Sequence, residues 1–300
     1  MNITITGATG FIGRRLVSRL TSEGHSLHIL SRSGSAKNLA SGVRFSQWDP
    51  LAGEPPAESL AQADAVIHLA GEPVAQRWTP EAKKLIMDSR SRGTRHLVQA
   101  LSTQPRRPQV LISASAIGYY GPRGEENLTE ASAPGTAFLP QVCVEWEKQA
   151  EMAESLGIRV VRLRIGIVLG LGGGALEKMI PSFKAFVGGK LGSGGQWMSW
   201  IHLDDLVGVI HHALTTSMQG PVNGTAPKPA TNLEFTEALA AALGRPAIFP
   251  VPAFVVKALF GEMSSVLLGS QRVLPRAAEA AGYRYQYPDL LPALKNIVAG

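Results

Sequence analysis

The sequence predicts an α/β protein built on a doubly wound parallel sheet, with a smaller C-terminal α/β region. Three observations lead there. A β-branched run, Ile3 to Thr6, runs into glycines at Gly7, Gly10 and Gly13, and a helical pattern follows at once. Strand-like apolar runs then alternate with helical patterns as far as residue 165, which is the pattern of β-α-β units with right-handed crossovers. The chain has 300 residues, of which 45% are hydrophobic and 17% charged, enough to bury a large core.

The opening unit carries the chemistry. From Phe11 to Leu20 the apolar positions are Phe11, Ile12, Leu16, Val17 and Leu20, with Arg14, Arg15, Ser18 and Arg19 between them. The G-x-x-G-x-x-G spacing therefore sits between a strand and a helix. Gly7 permits the tight turn, Gly10 lets backbone amides approach a pyrophosphate, and Gly13 lets the helix pack close to the strand. The helix start offers unpaired N–H groups and the positive end of a dipole to an anion.

The second strand, Ser26 to Leu30, ends in Ser31-Arg32-Ser33. In a dinucleotide fold this strand end meets the adenosine ribose. An acidic residue there favours NAD, whereas an arginine accommodates a 2′-phosphate. Arg32, beside the small Ser31, argues for NADP, with Lys37 as a second phosphate contact. A third strand, Val43 to Trp48, places Trp48 and Asp49 near the adenine. A buried strand, Ala63 to Leu69, ends in small residues that let a ribose pack against backbone. His68 within it reads as a satisfied core histidine. Thr79 and Pro80 open a helix to Leu101 whose Lys83, Lys84, Arg90, Arg92 and Arg95 read as a solvated face. The next strand, Val110 to Ser113, leads to Ser115, Tyr119 and Tyr120. A polar loop (Pro122 to Pro134), a helix (Leu139 to Leu156) and a strand (Ile158 to Leu163) ending at Arg164 complete the alternation.

The character changes near residue 168, dividing the chain into a cofactor half, 1–167, and a substrate-shaping half, 168–300. Gly-rich stretches fall at 169–174 and 188–195; the second lacks the spacing of a phosphate loop. Trp197 to Ile201 reads as a strand, with Trp197, Trp200 and His202 read equally as pocket-lining residues or as core aromatics. A helix to Leu214 follows, then a strand over 221–225. Next come a helix from Thr231 to Leu243 capped by Thr231 and Glu234, a strand over 247–251 and a helix over 255–268.

A single cysteine, Cys143, precludes an intramolecular disulfide and suits a reducing, cytoplasmic setting. No leader-like segment and no apolar run of membrane-spanning length is evident, so neither export nor membrane insertion is expected. The net charge of +6 comes from dispersed residues rather than a basic block, so no nucleic-acid partner is expected. The expected partner is a small molecule.

Several stretches in this order resemble the short-chain dehydrogenase/reductase superfamily in its extended, epimerase-like branch: 6–13, 68–71, 113–115, 164–166 and 200–206. Leu69-Ala70-Gly71-Glu72-Pro73, Val144-Glu145-Trp146-Glu147 and Ser199-Trp200-Ile201-His202 are similar to an atypical subgroup of epimerase-family proteins and NADP-dependent oxidoreductases. The resemblance implies a Rossmann-type fold, NADP as cofactor, hydride transfer to or from a carbonyl or carbinol carbon, and commonly a homodimer. It implies cofactor contacts from Thr6, Gly7, Gly10, Phe11, Ile12, Gly13, Ser31, Arg32, Trp48, Asp49, Leu69, Ala70, Gly71, Glu72 and Arg164. It places Ser115 at the hydroxyl position that polarises a substrate carbonyl.

The chain departs from that pattern at one place. The family's Tyr-x-x-x-Lys pair supplies the proton-transferring phenol and the lysine that tunes it. No tyrosine here has a lysine four residues on; the matching helical pair is Cys143 and Glu147. Three readings stand open. Tyr119 or Tyr120 supplies the phenol from the other side of the pocket; Cys143, Glu145 or Glu147 does acid–base work; or the protein binds NADP as a sensor without turnover.

Overall fold

The computed structural model describes residues 1–32 and 42–299. Ser33 and Lys37, the latter expected as a phosphate contact, lie outside the described residues. Seven strands form the central sheet: β1 (Asn2–Thr6), β2 (Ser26–Ser31), β3 (Val43–Gln47), β4 (Ala65–His68), β5 (Val110–Ala116), β6 (Arg159–Ile165) and β7 (Gly220–Gly224). Every pairing is parallel and the spatial order is β7-β6-β5-β4-β1-β2-β3. The winding direction reverses between β1 and β4. That switch point opens a crevice at the carboxyl ends of these two strands, where such sheets bind ligands.

The helices are α1 (Phe11–Ser22), α2 (Pro80–Ser102), α3 (Phe138–Glu151), α4 (Gly174–Lys184), α5 (Leu203–Thr215), α6 (Asn232–Leu243), α7 (Ala253–Phe260), α8 (Ser264–Leu268), α9 (Arg276–Ala280) and α10 (Leu290–Ala299). Strand alternation sends side chains to two faces. Ile3, Ile5, Ile29, Ile67, Ile112 and Leu163 pack with Leu16 and Leu20 of α1 and Leu206 and Ile210 of α5. Leu30, Val66, Leu111 and Val160 point the other way, onto Leu97 and Leu101 of α2 and Ala150 of α3. The second face also receives Thr6, His68, Ser115 and Arg164, so the functional candidates lie beneath α2 and α3. Thr79 caps α2 by accepting from the Ala82 amide, and Thr231 and Glu234 form a reciprocal capping box on α6.

Residues beyond 168 return to the first layer: β7 extends the sheet beside β6, and α5 packs in the α1 core. A separate apolar cluster joins Leu176 and Phe183 of α4, Trp200, Phe235 and Leu239 of α6, and Leu294 and Ile297 of α10.

Four elements differ from expectation. The strand expected over 197–201 is two: Trp197–Met198 pairs antiparallel with Ala230–Thr231, and Trp200–His202 runs parallel to Ile167–Leu169. Ser199 divides them because its hydroxyl is taken by the backbone of Gln271 and Val273. The strand expected over 247–251 reduces to one bridge, Leu191 with Val251, since Pro250 and Pro252 lack the N–H a ladder requires. The helix expected over 255–268 breaks at Gly261, whose φ is +57°. Helix α4, unexpected behind its glycines, forms because Leu176 and Phe183 give it a buried face.

Candidate active site

At the crevice, Gly7 has a φ of +71°, and a Cβ there would lie 2.7 Å from the Leu69 carbonyl carbon. A Cβ on Gly13 would lie 2.2 Å from the Gly7 oxygen, so α1 can approach β1 only through glycine. Gly10 differs: a Cβ there would meet only the Gly7 oxygen, at 3.2 Å, and would otherwise project into open space. Gly10 is also the N-cap of α1. No side chain caps that end and no acidic residue occupies the first turn. The amides of Phe11, Ile12 and Gly13 are therefore donors without helical partners, a cradle that fits a pyrophosphate. The ring of Phe11 packs under Gly170, Gly173 and Gly174, which close that side of the cradle.

The remaining cofactor candidates fall around this crevice in different ways. Arg32 stands at the end of β2 with its side chain 69% exposed, its Nη1 3.9 Å from Glu72 Oε2. Asp49 is exposed, its carboxylate accepting from the Leu51 amide. Leu69, Ala70 and Gly71 line the end of β4. Trp48 is turned into the core, its indole N–H donating to the Gly53 carbonyl, so its ring packs with Leu60 and Leu97. Thr6 is likewise buried: its Oγ1 pairs with His68 Nδ1 at 2.7 Å and accepts from the Ala70 amide. His68 Nε2 meets Thr94 Oγ1 at 3.0 Å, so both ring nitrogens are used. Burial first, and the charge of Arg90 second, push the His68 pKa down to about 4. It is a neutral structural histidine, as expected.

The reaction candidates Ser115 and Tyr120 join one buried network with Arg164, which was expected to flank the cofactor and is instead buried and committed to Glu147 and Tyr120. Ser115 and Arg164 are direct neighbours in the β5–β6 register. Both reach Glu147 on α3: the Ser115 hydroxyl donates to Oε1 at 2.7 Å, and Arg164 donates through Nε to Oε1 and through Nη2 to Oε2, both at 2.8 Å. Arg164 Nη1 donates to the Tyr120 hydroxyl at 2.9 Å, and that hydroxyl donates to Asn223 Oδ1 at 2.7 Å. Burial opposes the charge on Arg164, yet the hydrogen bond and charge of Glu147 outweigh it and hold the guanidinium above its usual range. Desolvation raises Tyr120 to about 12 despite Arg164. Cys143, one turn before Glu147, is buried and pushed up to about 12 by desolvation and then by Glu147.

Tyr119 is placed differently. It is half-buried, its ring lies 3.5 Å from the Arg164 guanidinium, and its hydroxyl makes no hydrogen bond among the described residues. Two pocket-lining candidates are structural instead. Trp200 is fully buried and donates to the Lys228 carbonyl, and His202 caps α5 by accepting from the Asp204 amide.

Arg90 was missed as a solvated-face residue. Its guanidinium is half-buried against the Trp146 ring, donates through Nη1 to the Glu72 and Ile86 carbonyls, and lies directly under Gly71. It enters no ion pair among the described residues. The signal was its spacing: Ile86, Arg90, Thr94 and Leu97 share the inward stripe of α2.

The fold and the glycine cradle define a dinucleotide-binding α/β protein with a buried polar cluster of Ser115, Tyr120, Glu147 and Arg164. The chain belongs to the NAD dependent epimerase/dehydratase family, whose model matches residues 3–225. Residues 251–297 match a domain of unknown function, DUF1731. The chain is 45% identical over 302 residues to the chloroplastic epimerase family protein SDR39U1 homolog of Arabidopsis thaliana, covering 99% of this chain and 87% of that protein. It is 39% identical to epimerase family protein YfhF of Bacillus subtilis, covering 100% and 98%. The crystal structure of human epimerase family protein SDR39U1 with NADPH superposes with a TM-score of 0.89 at 36% identity, covering all of both chains.

Proposed function

We propose that this protein is an NADP-dependent oxidoreductase of the atypical short-chain dehydrogenase type, acting on a carbonyl or carbinol substrate. The glycine cradle at the uncapped start of α1 carries the reading, supported by Arg32 at the ribose position and by the NADPH in the human relative's structure. The bound cofactor supplies or takes up the hydride. The chain's own residues place the substrate oxygen and move its proton.

The site narrows the choice of proton carrier. Cys143 and Tyr120 are held protonated by burial, and the Tyr120 hydroxyl is occupied by Arg164 and Asn223. Ser115 has its proton engaged by Glu147, so it is not the free proton source. Tyr119, as the phenol, supplies the proton to a carbonyl oxygen and becomes a phenolate, and in the reverse direction the phenolate takes the carbinol proton, with the Arg164 cation on its ring. Ser115 orients a carbonyl oxygen by turning its hydroxyl proton from Glu147 Oε1 toward that oxygen, while Arg164 continues to hold Glu147.

NADPH titration by fluorescence, followed by NADPH oxidation against a carbonyl panel, tests this. Binding with turnover supports an enzyme, and absence of binding removes the reading. A second reading, an NADP-binding sensor, is favoured by Glu147 standing where a lysine is usual and being bound on both oxygens by Arg164. Tight binding with no turnover on any compound favours it.

A further inference from the structure

A second group of ligating side chains lies away from the crevice. Glu23 and His25 form the turn between α1 and β2, and His211 projects from α5, which packs beside α1. One carboxylate oxygen of Glu23 and one ring nitrogen of each histidine lie within 4.8 Å of one another. His211 Nε2 is 3.0 Å and His25 Nε2 3.8 Å from the same oxygen, Glu23 Oε2. The other carboxylate oxygen accepts from Arg19 Nε at 2.9 Å, which holds Oε2 toward the imidazoles. On the far side of the His25 ring, Nδ1 lies 3.3 Å from the Met1 amino nitrogen. The three side chains are 31%, 16% and 27% exposed, Glu23 standing at the surface and the two imidazoles partly buried.

We propose that Glu23, His25 and His211 form a divalent transition-metal site of the zinc type. Two imidazoles and one carboxylate are a three-ligand zinc set that leaves the fourth position to water. Zinc bonds of about 2.0–2.2 Å in a tetrahedron put ligand atoms about 3.3 Å apart, and the separations of 3.0 and 3.8 Å bracket that spacing. Two nitrogen donors favour zinc over magnesium or calcium, which take oxygen. Arg19 supplies the outer hydrogen bond that ligating carboxylates ordinarily receive. The cluster sits at the amino-terminal edge of β1 and β2, opposite the crevice. The ion therefore acts as a clamp between the α1–β2 turn and α5 and takes no part in hydride transfer.

The test uses tag-free, chelator-treated full chain, titrated with Zn²⁺ by calorimetry and with Co²⁺ by visible absorption. One equivalent should bind, Co²⁺ should show the visible band of a tetrahedral N/O site, and Zn²⁺ should raise Tm. Glu23→Gln and His211→Ala should each weaken Zn²⁺ binding at least about tenfold, while NADPH affinity stays unchanged because the two sites lie on opposite edges. Failure of the folded wild type to bind Zn²⁺ overturns the proposal. So does an affinity that persists in a folded His25→Asn/His211→Asn double variant.

Discussion

Glu147 and Arg164 meet through two hydrogen bonds of 2.8 Å in the interior, both side chains no more than 5% exposed. This fork joins Ser115, Tyr120 and Asn223 into one network. Replacing Glu147 with Leu strands a buried guanidinium and should cost about 3–5 kcal/mol, read from denaturant unfolding. The Glu147→Leu/Arg164→Met double variant should lose clearly less than the sum of the single variants. Strict additivity would show that the two do not act as a pair.

The two tyrosines after Ser115 should separate in behaviour. Tyr119→Phe should lower turnover by about 100-fold or more, while stability and NADPH affinity hold, because only a proton carrier is removed. Tyr120→Phe should cost about 1–3 kcal/mol of stability by leaving Asn223 Oδ1 and Arg164 short of a partner. A Tyr119→Phe variant with wild-type turnover would falsify the assignment of the proton carrier.

Arg32 should set cofactor preference. Arg32→Ala should weaken NADPH by about 10- to 100-fold through lost charge-assisted hydrogen bonds, with NADH affinity unchanged. Equal losses for both dinucleotides would mean that Arg32 does not read the 2′-phosphate.

The glycines should divide by mechanism. Gly13→Ala drives a Cβ to 2.2 Å from the Gly7 oxygen and should disrupt the α1–β1 contact, seen as a large drop in Tm. Gly10→Ala has only a 3.2 Å approach to relieve and a β-region φ of −75°. It should stay folded within about 1 kcal/mol yet lose NADPH binding, because its methyl enters the cradle.

His68 sets a pH dependence. Folded, its pKa lies at about 4; unfolded, it returns to about 6.5. Between these values the unfolded chain binds the proton and the folded chain does not. Its contribution is thus fully present above pH 6.5 and is lost as the pH falls toward 4, by up to about 3 kcal/mol. Unfolding free energies measured over that range should show a shallower slope in a His68→Gln variant.

Patterns local in the chain are legible in the sequence. The strand–glycine–helix unit, the alternation to residue 165 and the caps at Thr79 and Thr231 are each written in spacings of two, three or four residues, whereas the partners that satisfy His68, Thr6 and Thr94, come from other elements. Arg90 was legible too, in its stripe with Ile86 and Thr94, but a basic residue on a charged helix reads first as solvated. The two short strands around Ser199 were not legible, because their partners lie about 30 residues away in opposite directions along the chain.

The sequence by itself determined the anion cradle, the strand order's local units and the absence of a Tyr-x-x-x-Lys pair, since each depends on neighbouring residues and backbone geometry. Only the tertiary structure decided what replaced that pair. Ser115, Glu147, Arg164, Tyr120 and Asn223 span more than 100 residues of chain, and their meeting depends on β5 and β6 lying in register under α3 with β7 alongside. Hydrogen bonds of under 3 Å between such distant groups are set by the packing of whole elements, which no local spacing encodes.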